Sequence, residues 1–229
     1  MDRGLYIAAS GMLAEQRRQE QIANDLANAA TPGYKSDRTA QQAFGDLLLD
    51  RDDDGVVVGR QSLAVQVAEI RTDFTPQPSR ETGEPLDFTI DGPGFFAVQT
   101  AAGVRYTRNG QFSADAAGRL VTARGELVLG ARGGAVQIGA DGRVDPNALR
   151  VVNLANPRKE GESLVAGNPA GGPVGRARAG ALESSGADAA RSMVDMIASM
   201  RAFEAGQKVI QTIDATLEKA ANRVGSVGG

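Results

Sequence analysis

The chain has 229 residues, 41% hydrophobic, 23% charged and 4% aromatic, with a formal net charge of −3. That length and apolar content suffice for one large domain or two small ones, and the slightly acidic balance carries no sign of the basic stripe of a nucleic-acid-binding domain. There is no Cys, His or Trp, which removes thiolate chemistry, the commonest general base, the usual zinc, copper and iron ligands, and disulfides.

The chain opens with a helical pattern over residues 3–30. Leu5, Ala8, Met12, Gln16, Gln19, Ile22, Ala23 and Leu26 recur at threes and fours among good helix formers. The stripe turns polar from Glu15 to Gln21, and Gly11 is a local weak point. Thr31-Pro32-Gly33 ends the helix, because Pro32 cannot continue it and Gly33 can take a positive φ. Leu5 to Ala14 is a short apolar stretch after Arg3, but no small-x-small cleavage site follows, so a helix is expected rather than a cleaved signal peptide. No run of 18 apolar residues occurs, and no transmembrane segment is expected.

Residues 34–85 form a polar connecting region. Gln41 to Leu49 reads as a short helix, Val56 to Val58 and Leu63 to Ile70 as strands, and Thr75-Pro76-Gln77-Pro78-Ser79 as an extended linker. Asp50-Arg51-Asp52-Asp53-Asp54-Gly55 matches the first half of an EF-hand calcium loop. Its twelfth position is Gln61 rather than Glu, and a strand pattern follows it. An acidic loop tip is therefore the preferred reading over a weak calcium site.

Residues 86–183 alternate short apolar runs with turn signals. Runs at Phe88 to Ile90, Phe95 to Val98, Arg105 to Arg108, Leu120 to Thr122, Glu126 to Leu129, Val136 to Ile138 and Leu149 to Leu154 predict strands of an all-β module. The 29 glycines, well above the usual share of about 7%, agree with many tight turns. Asn109-Gly110 is a two-residue hairpin signal. Gly92-Pro93-Gly94 reads as a turn, since the third glycine and the helix of a nucleotide-binding loop are missing. Phe95 and Phe96, adjacent on a strand, are expected in the core on opposite faces.

Residues 184–229 carry the second helix. Ser184-Ser185-Gly186-Ala187-Asp188 supplies N-cap candidates, and Met193, Ile197, Met200, Phe203, Ile210, Ile213, Leu217, Ala221 and Val224 follow helical spacing up to the glycine-rich tail. The helix is expected over about 189 to 224, a span of about 50 Å at about 1.5 Å per residue. Charges alternate along it, and Arg201 and Glu204 stand three apart, close enough to pair.

The predicted architecture is α+β: a central all-β domain inserted between N- and C-terminal helices that pair as a coiled coil. Each helix has a narrow apolar stripe without a local partner, so they pack on each other or on copies in neighbouring subunits. The candidate assembly interface comprises Leu5, Met12, Ile22, Asn24, Leu26 and Asn28 on the first helix and Met193, Ile197, Met200, Phe203, Ile210, Ile213 and Leu217 on the second. Asn24 and Asn28 either mark the fraying helix end or fix register as a buried polar contact. Long narrow-striped helices are marginal alone, so they are expected to order on assembly. Two rival readings are a carboxylate-based enzyme, which needs two carboxylates about 5 to 9.5 Å apart at a cleft, and a calcium-binding module.

The ends and the centre carry a resemblance. Ser10-Gly11-Met12, Ile22-Ala23-Asn24-Asp25-Leu26-Ala27-Asn28 and Thr31-Pro32-Gly33-Tyr34-Lys35 resemble the N-terminal signature of the flagellar rod and hook proteins. Glu183-Ser184-Ser185, Met193 to Ile197 and Arg201 to Glu204 resemble that family's C-terminal helix, and Gly83 to Val98 with Tyr106 to Phe112 its central β domain. Asp25, Gly186-Ala187 and Pro93 depart from the family pattern. The resemblance implies a structural, non-catalytic subunit without cofactors. Such subunits stack helically into the hollow rod, terminal helices inside and β domain outside. They are exported unfolded by the flagellar type III apparatus, without a cleaved signal peptide. Implied partners are further copies and other rod and hook-basal-body proteins. The chain looks most like the proximal-rod members, with the distal rod as the alternative.

Overall fold

The structure, a computed structural model, describes residues 3–50, 57–172 and 174–225. It divides into two compact units. The first comprises residues 1–26, 37–71 and 189–229; the second comprises 27–36 and 72–188.

The first unit holds α1 (Arg3–Ala27), the paired strands β1 (Asp37–Asp50) and β2 (Val57–Thr72), and α2 (Ala189–Gly225). The 37 residues of α2 span about 55 Å at about 1.5 Å per residue. The helices run antiparallel against one another. A Cβ on Gly4 would lie 3.4 Å from Ile213 Cδ1, and one on Gly206 would lie 2.8 Å from Met12 Cγ. Ser199 Oγ donates to Glu15 Oε2 at 2.6 Å. Gly206 thus lets Met12 seat against the backbone of α2, where any side chain would hold the helices apart.

The short helix expected at Gln41 to Leu49 is not formed; those residues belong to β1. Gln, Ala and Leu favour helix by only about 0.7 kcal/mol per residue or less. Pairing with the 16-residue β2 supplies backbone partners that outweigh this local preference. The two separate strands expected at Val56 to Val58 and Leu63 to Ile70 merge from Val57 into β2.

The second unit is β-rich. Its short strands are β3 (Ser79–Glu81), β4 (Phe88–Asp91), β5 (Phe95–Thr100), β6 (Gly103–Thr107), β7 (Phe112–Ala114), β8 (Leu120–Thr122) and β9 (Leu127–Val128). Beyond a 3-10 turn at Pro146–Ala148 come β10 (Val151–Glu160), β11 (Leu164–Ala170), β12 (Arg176–Ala179) and β13 (Ala181–Glu183). Seven strands form one sheet in the order β10-β11-β6-β5-β9-β8-β7, and β10 also pairs with β5, so β5, β6, β11 and β10 return on themselves. β12 pairs with β4 and β13 with β3 in two further two-stranded ladders.

Phe95 and Phe96 do point to opposite faces. Phe96 joins Phe88, Phe112, Leu120 and Val128 in one core cluster, while Phe95 joins Tyr106, Leu154 and Val165 in another. Phe96 meets Phe112 edge-on at 5.4 Å, the arrangement that aligns ring edge with ring face.

Asn109-Gly110 does not close a hairpin: β6 pairs with β5 and β11, and β7 with β8. Gly110 is needed instead for a close approach, because a Cβ there would run into the Phe88 carbonyl, while Gly110 accepts a hydrogen bond from Phe88 N at 3.0 Å. Val136 to Ile138 makes isolated bridges rather than a strand, with Gln137 opposite Arg119 and Ala135 opposite Leu129. Two neighbours that each share a single pair leave no ladder to propagate.

Candidate functional site

The sequence placed the seven apolar residues of the second helix in one stripe. The structure divides them between two faces. Ser192, Asp195, Met196, Ser199, Phe203, Gly206, Ile210, Ile213 and Leu217 are the partly or fully buried positions between Ala189 and Leu217, and from Met196 on they follow alternating steps of three and four. Met193, Val194, Ile197 and Met200 are each more than half exposed. Phe203, Ile210, Ile213 and Leu217 are therefore partly buried, with Ile213 beside Gly4 of α1, while Met193, Ile197 and Met200 form an exposed stripe near the start of α2.

On α1, Leu5, Met12 and Leu26 are half-buried and Ile22 is buried, whereas Tyr6 and Leu13 are exposed. Asn24 is exposed, and Asn28 is buried just beyond the helix end, where its Oδ1 accepts from Thr31 Oγ1 at 3.2 Å. Sequence reading missed the buried polar contact between the helices, Ser199 with Glu15. Ser199 is fully buried, and a lone Ser in an apolar pattern carries no signal that a carboxylate stands opposite. Beside this contact runs a groove of about 400 Å³ lined by Gly4, Ala8, Gly11, Met12, Ala202 and Gly206 among others.

The second unit contains a buried charge cluster that the sequence also concealed. Lys35, Arg108 and Glu183 are all nearly inaccessible to solvent. Lys35 Nζ donates to Glu183 Oε1 at 2.6 Å and to the Thr75 carbonyl at 2.6 Å. Arg108 Nη1 donates to Glu183 Oε2 at 2.9 Å, and Nη2 to the Gly92 carbonyl at 2.7 Å. Gln77 N donates to Glu183 Oε1 at 3.0 Å. Burial holds the Lys35 ammonium below the usual lysine range; the Glu183 carboxylate opposes that shift and Arg108 reinforces it.

Around this cluster the two chain ends of the unit are stitched together. Gly33 N donates to the Glu183 carbonyl at 2.9 Å, Gly186 N to the Tyr34 carbonyl at 2.8 Å, and Ser185 Oγ to the Asn28 carbonyl at 2.9 Å. Gly33 takes φ +64°, and a Cβ there would collide with the Arg108 carbonyl. Tyr34 is fully buried, with Lys159 Nζ 4.0 Å from its ring centre and donating to the Lys35 carbonyl at 2.8 Å. Thr31-Pro32-Gly33 signalled a helix end, but no spacing could pair Lys35 with a carboxylate 148 positions away.

Among the described residues no cluster of three acidic side chains could hold a metal ion. The acidic run Asp50 to Gly55 lies outside the residues whose side chains the structure describes. No described helix is long and apolar enough to cross a membrane.

Two terminal helices flank a β-rich insertion, and α2 carries an exposed apolar stripe of the kind that association covers. Three family models match: "Flagella basal body rod protein" over residues 5–35, "Flagellar hook protein FlgE/F/G D1 domain" over 89–151, and "Flagellar basal body rod FlgEFG protein C-terminal" over 178–223. The chain is 32% identical to the flagellar basal-body rod protein FlgF of Caulobacter vibrioides, covering 99% of this chain and 100% of that one. It is 30% identical to FlgG of Bacillus subtilis, over 97% and 99%. It is 33% identical to FlgG of Agrobacterium fabrum, over 93% and 95%. The chain belongs to the flagellar basal-body rod protein family, whose members are structural subunits of the flagellar basal body.

Proposed function

We propose that this rod subunit polymerises through α1 and α2 into the hollow, torque-transmitting shaft, and that its place is the proximal rod, with the distal rod as the alternative. The observation that carries polymerisation is the location of the exposed apolar side chains. Of ten large exposed hydrophobics among the described residues, seven lie on α1 or α2: Tyr6, Leu13, Met193, Val194, Ile197, Met200 and Val209. Single exposed apolar residues are ordinary, but several on successive turns of one helix make a patch that association covers.

In this reading Phe203, Ile210, Ile213 and Leu217 hold the helices together as a coiled coil, for which the four-three spacing is the expected seam. Leu5, Met12, Ile22 and Leu26 contribute the α1 side, and Asn24 with Asn28 the polar end. Met193, Ile197 and Met200 face neighbouring subunits. Contact between different surfaces of successive copies is heterologous, and it builds an open helical filament when the rotation does not close. The subunit catalyses nothing and needs no cofactor. It travels unfolded through the type III export apparatus and joins other rod and hook-basal-body proteins. End-to-end similarity to rod proteins named FlgF and FlgG alike supports a place in the rod.

The test is the double substitution Ile197→Asp with Met200→Asp. Wild-type protein is expected to sediment as polymer at high concentration, and the double variant to stay monomeric with unchanged helix content by circular dichroism. A variant that polymerises like wild type would show that this stripe is not the interface. Restored motility in a strain lacking the proximal-rod protein, and not in one lacking the distal-rod protein, would fix the position.

A further inference from the structure

We infer that Lys35, Arg108 and Glu183 form a clamp that sets the relative placement of the two chain ends within the second unit, a geometric device rather than a source of net stability. Its consequence for assembly rests on the reading above; the clamp itself does not.

First, the cluster joins three distant parts of the chain: the stretch leaving α1, the turn after β6 and the end of β13. Second, its chemistry is a poor way to gain stability. Two cations share one carboxylate in a site almost without solvent, and Arg108 Nε is buried with no hydrogen-bond partner. Taking charges out of water offsets most of what their attraction returns, and apolar groups of similar volume often serve as well. Third, the bonds are directional and specific to position. Slipping residues 33–35 by one place along 183–186 would carry Lys35 off Glu183 and break Gly33 N to Glu183 O and Gly186 N to Tyr34 O together. Apolar side chains would tolerate that slip; the charge cluster does not, which is the use of buried polar groups best attested elsewhere.

A subunit whose terminal helices carry the polymer contacts needs the two segments that lead into them held in one arrangement. The clamp supplies that within a single chain, without contact to a neighbour.

The experiment uses the full chain, which has no cysteine, so two can be introduced for spin labels at the exposed positions Ala30 and Ser184. The comparison is between wild type and the triple variant Lys35→Met, Arg108→Met, Glu183→Leu. The expected result is a closely similar melting temperature in both, with one narrow inter-label distance in wild type and loss of that single peak in the variant. An unchanged distance distribution overturns the inference, and so does a triple variant that is unfolded or much less stable, since the cluster would then be a stability element. In a sedimentation and electron-microscopy arm, ordered filaments are expected from wild type and disordered ones from the variant; filaments of wild-type order from the variant count against the clamp's role in assembly. Failure of wild type itself to polymerise would sink the polymer reading alone, because the distance measurement does not depend on it.

Discussion

Glu183 is a residue on which several backbone and side-chain donors converge, and removing its charge alone differs from replacing the whole cluster. Glu183→Gln keeps the volume but leaves Lys35 and Arg108 as buried cations without a counter-charge. Breaking one partner of a buried pair costs about 3 to 5 kcal/mol, so urea denaturation of Glu183→Gln is expected to show a loss of that order in the second unit; a change near zero would mean the cluster is solvated in solution. Lys35 adds a pH dependence. Its folded value lies below its ordinary 10.5, so between those two values the unfolded chain binds the proton and the folded chain does not. Stability contributed by this group therefore rises as pH climbs through that window, and the cost of holding the ammonium buried is fully present below it. Lys35→Met should abolish that rise, read as the difference between the two proteins in denaturation midpoint as pH climbs toward 10.5. Neither effect was legible in the sequence. Lys35 is one more charge after a turn, and only the fold brings a carboxylate to it from the far end of the chain.

At the scale of elements, α1 and α2 were legible and the use of their faces was not. Helical periodicity in Leu5, Met12, Ile22, Ile210, Ile213 and Leu217 marks both helices, and Thr31-Pro32-Gly33 marks where the first ends. Period alone cannot say which apolar residues meet the partner helix within the chain and which stay outside, because neighbouring stripes around a helix share the same spacing. Met193, Ile197 and Met200 are separated from Phe203 and Ile213 by rotation about the axis, and only the docked α1 shows it. Gly206 belongs to the same lesson. An isolated glycine in a helix reads as a weak point worth about 1 kcal/mol against Ala, yet here it is where Met12 packs. Gly206→Leu is expected to destabilise the helix pair by about 1 to 3 kcal/mol through overpacking, seen as an earlier thermal loss of helical circular dichroism. A variant with a more stable helix signal would mean that intrinsic helix propensity governs this position. The strand β1 failed as a sequence reading for a related reason: Gln41 to Leu49 favours helix locally, and β2, which overrides that, is a different segment.

For the whole molecule, the two units predict where the chain can be cut. The second unit includes residues 27–36 as well as 72–188, and the fully buried Tyr34 with Lys35 lies in the first of these stretches. Deleting residues 1–26 and 189–229 is expected to leave a folded, β-rich monomer. Extending the N-terminal deletion to residue 36 removes Tyr34 and Lys35, strands Arg108 with Glu183, and should lower the thermal midpoint markedly; equal midpoints would show that residues 27–36 are dispensable to that unit. The sequence by itself determined the order of parts: helix, polar connection, β-rich centre, long helix. It also determined the absence of Cys and His chemistry, and through its terminal and central motifs the family. Those properties reside in local pattern, in composition, or in short runs of adjacent residues. Tertiary structure alone decided that α1 lies antiparallel to α2, that Met193, Ile197 and Met200 face outward, and that Lys35, Arg108 and Glu183 share one buried site. Each depends on residues distant in the chain becoming neighbours, and a contact across 148 positions leaves no trace in the spacing of either partner's own neighbours.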